Sequence, residues 1–282
     1  MFWLPIFAGL SASLVSIGLA RFAYTPLIPS LIQAHWFCAN DVVYLGAANL
    51  VGYLFGALIG RPLAYRLTNK NTLRLMMAAV TFSFFACGFP LSMRWFFGWR
   101  LLSGVAGGAI MVLVAATVLP HVPSAYKGLA SGAIFLGTGL GIAGSGTIVP
   151  TLLGFGLQST WLGLGIIALI LTIASWFCWP TTSPHKSAPV PDTLSTLPTS
   201  PSIYLLFIQY ALMAAGLVPA MVFLVDYVAR GLAAGQHAGA LIWIMYGIGA
   251  IFGPLTYGFL ADKLSAPIGI RLVLVVQAIA LA

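Results

Sequence analysis

Hydrophobic residues occur along this chain in long continuous runs, each close to the roughly 20 residues that a helix needs to cross a bilayer. Polar breaks separate nine runs. Because the runs do not alternate with polar positions, they favour helices over the strands of a membrane barrel. The pattern therefore predicts an all-α integral membrane protein, embedded in a lipid bilayer, with spans near Trp3–Leu31, Val42–Leu63, Leu73–Pro90, Trp95–Leu119, Leu129–Leu153, Thr160–Trp179, Ile203–Val228, Ala240–Leu260 and Pro267–Ala282.

The basic residues between these runs predict an orientation. Lysine and arginine are enriched in the cytoplasmic loops of membrane proteins. The breaks after the second, fourth, sixth and eighth spans hold eight such residues, whereas those on the opposite side hold only Arg94 and Arg230. This asymmetry predicts a cytoplasmic N-terminus. The eight are Arg61, Arg66, Lys70, Arg74, Lys127, Lys186, Lys263 and Arg271.

The longest polar stretch, residues 181–202, is rich in proline, serine and threonine and predicts a cytoplasmic linker. It divides the chain into a six-helix N-terminal bundle, residues 1–180, and a partial C-terminal bundle of three spans, residues 203–282. A weak repeat supports this division, since Gly18-Leu19 before Pro26 is echoed by Gly216-Leu217 before Pro219. Related halves of this kind are typical of secondary transporters.

Composition excludes several classes of protein. Only 6% of the 282 residues are charged, against roughly 25% in soluble domains. The net charge of +8 does not indicate a nucleic-acid partner, because the basic residues lie between hydrophobic runs. The three cysteines and four histidines lack metal-ligand spacing, and all four acidic residues are aspartates. We therefore expect no metal, no cofactor and no enzymatic activity.

The first span contains the most informative residue, Arg21. A charge at membrane depth costs at least about 2.5–3.5 kcal/mol, so Arg21 is expected to face protein or a watery cavity. Gly18 and Thr25 share its helical face, and Tyr24 borders that face. Pro26 should bend the helix just beyond the arginine. A bent helix with an intramembrane cation predicts part of a solute pathway, although an arginine held by backbone carbonyls is the alternative.

Four other intramembrane residues are candidates for the same site. Arg100 either lines a cavity or extends to the membrane interface, and Gly104 and Gly108 on its face predict a closely packed neighbouring helix. Asn49 and Tyr53 share a face of the second span, where a hydrogen bond between helices competes with a role in the cavity. Gln209, early in the seventh span, is either a core residue or a further solute ligand.

Several stretches resemble the major facilitator superfamily, and in particular its bacterial YbfB/YjiJ-type branch. The residues that carry the resemblance are GLARFAYTPLIPSLI in the first span, AANLVGYLFGALI in the second, FGWRLLSGVAGG in the fourth and GFLADK at the end of the eighth. The resemblance implies a transporter of the inner membrane with two six-helix bundles around a central cavity. Since the chain ends within an apolar run at Ala282, we expect an incomplete second bundle.

The resemblance also implies residues for gating and coupling. Gly60 and Arg61 stand in a degenerate copy of the superfamily loop motif, and Asp262-Lys263 closes the eighth span. Asp226 is the one acidic residue expected within a span, and it either carries a coupling proton or pairs with Arg230 four residues later. The sequence therefore predicts alternating-access transport of a small organic solute, hypothesised to be anionic. The alternative is a truncated, non-transporting membrane fragment.

Overall fold

The computed structural model describes residues 2–180 and 201–263, together with residues 268, 271, 272 and 274–276. Within these residues the regular structure is helical and includes no strand, which confirms the predicted all-α class. These residues also include two π-helical segments. Leu14–Leu19 interrupts the first span, and Tyr227–Gly231 extends the seventh span beyond its α-helix. The α-helices are α1 (Trp3–Ser13), α2 (Tyr24–Gln33), α3 (Ala39–Leu67), α4 (Asn69–Cys87), α5 (Met93–Val118), α6 (Lys127–Leu153), α7 (Leu157–Ser175), α8 (Pro201–Asp226) and α9 (Gly235–Lys263).

Seven helical stretches among the described residues are long and apolar enough to cross a membrane. They correspond to the predicted spans except for the third and the ninth. The helix at the third position, α4, begins with two asparagines, a lysine and an arginine within six residues, but it packs in the same bundle against α5 and α7. The ninth predicted span lies largely outside the described residues, as does the predicted linker except for the first two residues of α8.

The first span is broken in its middle rather than gently bent. The π-helical turn Leu14–Leu19 is followed by four residues without regular helix before α2 begins. Phe22 N donates to Ile17 O at 3.2 Å, five residues back, while Thr25 N donates to Phe22 O at 3.3 Å, three residues back. The bend predicted just beyond Arg21 therefore falls within the break, which also includes Arg21 itself and follows directly on the π-helical turn. Pro26 disturbs the turn that precedes it, because its ring opposes the carbonyl four residues earlier.

Glycines let α3 and α5 approach to backbone contact. A β-carbon added at Gly52 or Gly56 would collide with a backbone carbonyl of α5, and one added at Gly104 or Gly108 would collide with a carbonyl of α3. This arrangement confirms the close packing predicted from the Gly104 and Gly108 spacing. Small residues at four-residue intervals are the usual means by which membrane helices pack closely.

We call residues 2–180 the first half and residues 201–263 the second half. The two halves meet chiefly between α6 and α9 and between α2 and α8, and also between α2 and α9. Between α6 and α9, the backbone of Ala250 lies against Gly139 and that of Ala143 against Gly247. Where the broken part of the first span meets α6, α8 and α9, buried apolar side chains form a cluster that includes Phe22, Met221 and Trp243. The interior of the first half includes packed aromatic side chains. The rings of Phe96 and Trp161 meet edge to face, with 5.2 Å between their centres.

Candidate functional site

A cavity lies where the broken first span meets α3, α5 and α8. Its volume is about 20 Å³, which is room for one or two water molecules. An organic solute would therefore need the surrounding helices to move apart. Five of the seven predicted solute-binding residues line it, together with residues of α8, and the lining consists of Arg21, Phe22, Tyr24, Thr25, Gly46, Asn49, Leu50, Arg100, Met221 and Val222.

Arg21 is half-buried and retains hydrogen-bonding capacity. Its guanidinium carbon lies 5.3 Å from the centre of the Tyr53 ring, within the range of a cation–π interaction. Its Nε is buried and has no acceptor among the described protein atoms. No acidic side chain forms a salt bridge with it in the described part of the chain. The geometry therefore leaves Arg21 able to bind an anion that enters the cavity, and it does not support the alternative of an arginine saturated by carbonyls.

Arg100 is held inside the first half. Its side chain is 3% exposed, so the alternative that it extends to the membrane interface is wrong. Its Nη1 donates to the carbonyl oxygen of Ala20 at 2.6 Å, and its guanidinium lies 4.1 Å from the centre of the Tyr24 ring. Ala20 belongs to the break in the first span. Arg21 lies in the same break, so the hydrogen bond from Arg100 attaches this segment of the first span to α5.

Asn49 joins α3 to α5 next to this arginine. Its Nδ2 donates to the Arg100 carbonyl oxygen at 3.3 Å and to Ser103 Oγ at 3.0 Å. The hydrogen bond between helices expected from an intramembrane asparagine is therefore present. Tyr24 makes a comparable connection, since its hydroxyl donates to the Val42 carbonyl oxygen at 2.9 Å. These bonds position the walls of the cavity.

Among the described residues, three side-chain hydrogen bonds join α2 to the second half, one beside the cavity and two nearer the end of α2. Thr25 Oγ1 donates to the Met221 carbonyl oxygen at 3.0 Å. Further towards the end of α2, Gln236 Nε2 donates to Gln33 Oε1 at 2.8 Å and approaches Ser30 Oγ at 3.4 Å. We call the Gln236 contacts with Gln33 and Ser30 the amide latch. Together these contacts close the space between α2 and the second half at the end of the cavity nearest Gln33.

The remaining predicted residues lie away from the cavity. Gln209 is half-buried on α8 and does not line the cavity, and Arg61 is exposed on α3. Gly60 contributes to the close contact of α3 with α5, because an added β-carbon would lie 3.1 Å from the Ala109 Cα. Asp262 and Lys263 are the last residues of α9, and their side chains are outside what the structure describes.

Asp226 forms the predicted ion pair with Arg230. Arg230 Nε and Nη2 donate to the two carboxylate oxygens at 2.5 and 2.7 Å. The pair is partly exposed, with relative side-chain exposures of 18% for Asp226 and 37% for Arg230. This arrangement favours the structural alternative over a proton carrier.

The substitution D226N should therefore have a small effect. A partly exposed pair four residues apart contributes at most about 1 kcal/mol, so the melting temperature should fall by no more than about 2–4 °C. Any pH dependence of solute uptake that the wild-type chain shows should persist in the variant. If uptake by D226N no longer varied with pH, Asp226 would carry the coupling proton after all.

From the second half, sequence reasoning proposed only Gln209 for the site and missed the residues of that half that do line the cavity. Met221 and Val222 line the cavity from α8. On α9, the rings of Trp243 and Tyr246 stack at 5.3 Å, and Phe22 lies 6.1 Å from Trp243. The three-residue spacing of Trp243 and Tyr246 places them on one helical face, but this signal alone does not indicate which helix they meet.

A membrane transporter of known structure has a similar fold. The fold is similar to that of a D-xylose–proton symporter of known structure, with a TM-score of 0.63 over 94% of this chain and 70% of the symporter chain. At 14% identity, this likeness shows the fold alone. The chain therefore shares the overall helical fold of this symporter.

The particular family follows from the sequence. The profile described as "uncharacterised MFS-type transporter YbfB" matches residues 13–282, and the chain belongs to this family of major facilitator proteins. The predicted superfamily and branch are thereby confirmed.

Two relatives have named substrates. The chain is 28% identical over 158 residues to a gallate transporter of Pseudomonas putida and 29% identical over 151 residues to a benzoate transport protein of Acinetobacter baylyi. The matches cover 55% and 50% of this chain, but only 34% and 32% of the relatives. The matched region thus spans about a third of the length of either relative.

Proposed function

We propose that the chain is a secondary active transporter that moves a small organic anion across the bacterial inner membrane by alternating access. The observation that carries this proposal is Arg21, a half-buried cation whose Nε has no acceptor among the described protein atoms, in a cavity between the two halves. An intramembrane charge is costly and is retained mainly where it acts on a solute, an ion or a partner charge. Its planar guanidinium suits a carboxylate, which it can bind through two parallel hydrogen bonds.

An aromatic carboxylate is the solute class that the surroundings of Arg21 favour. Tyr53 lies against the guanidinium, and the stacked Trp243 and Tyr246 rings lie on the facing helix of the second half. Aromatic walls can pack against a planar ring while the arginine binds its acid group. The names of the gallate and benzoate transporters agree with this choice, since both substrates are aromatic carboxylates.

In an alternating-access cycle, the contacts between the halves would form and break as the cavity opens to one side of the membrane and then to the other. In the present arrangement the Thr25–Met221 bond and the amide latch close the cavity on the side where α2 ends. With the N-terminus in the cytoplasm, that side faces away from the cytoplasm. Residues 1–180 then form one bundle and residues 203–282 part of the other, and transport requires them to rock about the cavity. This role needs no enzymatic chemistry and no cofactor.

Uptake of radiolabelled benzoate into proteoliposomes that contain the full chain tests the proposal. The variant R21A should reduce uptake at least about tenfold, since a charged hydrogen bond contributes about 1.5–3 kcal/mol. R21K keeps the charge but loses the planar fork, so it should fall between R21A and the wild type. R94A is the matched control, because it removes an exposed cation at the start of α5.

The outcomes separate the candidate functions. If R21A and R94A take up benzoate at the same rate as the wild type, Arg21 does not bind the solute. If the wild-type chain takes up no more benzoate, gallate or other organic acid than protein-free vesicles do, the alternative of a non-transporting membrane fragment is favoured.

A further inference from the structure

A second, smaller cavity lies inside the first half and is separate from the one that contains Arg21. Its volume is about 10 Å³, which is room for one water molecule or one monatomic ion. Arg100 forms one wall and Trp161 of α7 another, while α4 contributes Val80, Ser83, Phe84 and Cys87. The cavity therefore lies between four segments of the first half, and Arg100 is the one described residue that lines both this cavity and the cavity of Arg21.

Two buried N–H groups at this cavity have no acceptor. Arg100 Nε and Trp161 Nε1 are both without a hydrogen-bond partner among the described protein atoms. Their side chains are 3% and 2% exposed. Leaving a buried donor unsatisfied costs about 1–3 kcal/mol, and more for a charged group. Two such donors on the wall of one small cavity indicate that an acceptor binds there.

The hydroxyl groups beside the cavity already donate elsewhere. Ser83 Oγ donates to the Ala79 carbonyl oxygen at 2.8 Å, and Ser103 Oγ donates to the Arg100 carbonyl oxygen at 2.8 Å. The donors that remain for a ligand are therefore the guanidinium Nε, the indole N–H and the weakly donating thiol of Cys87. Because these donors are free and no carboxylate in the described part of the chain lines the cavity, the site suits an anion.

The charge of Arg100 also lacks a counterion. Of the acidic side chains that the structure describes, Asp41 accepts from the backbone N of Cys38, and Asp226 pairs with Arg230. Neither contacts Arg100, whose guanidinium otherwise meets the Ala20 carbonyl and the Tyr24 ring. A buried charge without a partner of opposite sign is costly. A neutral water would satisfy the N–H groups and leave this charge uncompensated.

We propose that a halide ion, chloride in the cell, binds between Arg100 and Trp161. A monatomic anion fits the size of the cavity, whereas a carboxylate or phosphate does not. It accepts hydrogen bonds from both free N–H groups and neutralises the guanidinium. The apolar walls formed by Val80 and Phe84 suit a weakly hydrated anion. By neutralising Arg100, the ion would stabilise the connection between α5 and the break in the first span, and this role does not depend on the proposed transport of an organic anion.

Thermal unfolding of the purified chain in sodium chloride, sodium bromide and sodium gluconate at equal ionic strength tests this inference. A ligand that binds only the folded state stabilises it, so chloride and bromide should raise the melting temperature above that in gluconate by about 2–4 °C, and the effect should saturate. W161F removes one N–H donor and should abolish the increment. W179F is the matched control, because Trp179 Nε1 is also buried and unpartnered but does not line the cavity.

Equal melting temperatures in halide and gluconate for the wild type, or an increment that W161F keeps, would overturn the proposal. If W161F does not fold, crystals of the wild-type chain grown in bromide decide the matter. Anomalous scattering between Arg100 and Trp161 supports the halide, and density without an anomalous signal identifies a water instead. Because no organic solute is present in either experiment, failure here leaves the transport proposal intact, and the benzoate uptake assay can fail without affecting this one.

Discussion

The substitution G56A should lower the free energy of unfolding by about 3 kcal/mol, although it adds a single methyl group. The added β-carbon would fall on the backbone carbonyl of Val105, and backbone atoms cannot rotate away as a side chain can. The helices α3 and α5 would have to separate, and the contacts at Gly52, Gly104 and Gly108 would loosen with them. A loss of this size corresponds to a fall in melting temperature of about 6–12 °C.

The matched control is G98A on α5. An added β-carbon at Gly98 meets no atom within 4 Å. Alanine favours the helix over glycine by about 1 kcal/mol, so G98A should melt at the wild-type temperature or above it. Thermal unfolding in detergent, followed by intrinsic fluorescence or by loss of the monodisperse peak in size-exclusion chromatography, measures both. Similar melting temperatures for G56A and G98A would show that the two helices are not in backbone contact.

The substitution R100M should separate stability from function. Replacing a buried charge by an apolar side chain of similar length removes a large desolvation cost and is often neutral or stabilising, so R100M should fold. The Ala20 carbonyl nevertheless loses its donor, and the segment that carries Arg21 is no longer fixed to α5. A lost hydrogen bond to a charged group corresponds to about 1.5–3 kcal/mol, which predicts a fall of roughly 10- to 100-fold in benzoate uptake.

Two readouts check this prediction, the melting temperature and the uptake of benzoate into proteoliposomes. R100K is the comparison variant, because lysine keeps the charge and one donor and should restore part of the uptake. Wild-type uptake by R100M would show that the connection to Ala20 has no part in transport. If R100M failed to fold while R100K folded, Arg100 would instead be a stabilising residue whose charge the bundle requires.

The sequence predicted the helices well because hydrophobic run length is a strong signal in a membrane protein. The breaks at Thr68 and Gly156, both with positive φ, fall in or beside predicted polar breaks. The position of the irregular turn in the first span could not be predicted as closely. Pro26 indicates that a helix is disturbed, but neighbouring helices decide how the freed backbone groups are satisfied. Here the Ala20 carbonyl is satisfied by Arg100, 80 residues further along the chain.

The residues that the first half contributes to the candidate site could be predicted from the sequence, whereas those of the second half could not. Arg21, Asn49 and Arg100 are polar residues in apolar runs, so the cost of burying them draws attention to each. Met221 and Val222 on α8 are apolar residues among apolar neighbours, and nothing local distinguishes a cavity wall from a lipid-facing position. Which of the two arginines is available to a solute depended equally on long-range packing. Arg100 is held by the Ala20 carbonyl and the Tyr24 ring, whereas Arg21 lies against the Tyr53 ring and has no hydrogen-bond acceptor at its Nε among the described protein atoms.

The amide latch has a consequence for how the two halves separate. Gln236, Gln33 and Ser30 are uncharged at every physiological pH, and so is the Thr25 hydroxyl that bonds Met221. A membrane voltage does work only on charges that move through it, about 2.3 kcal/mol per elementary charge for each 100 mV. In the proposed alternating-access cycle, opening these contacts moves no net charge, so this step should respond neither to membrane voltage nor to acidification. Any electrogenic step must then arise from the solute, from a co-transported ion, or from the arginines that surround them.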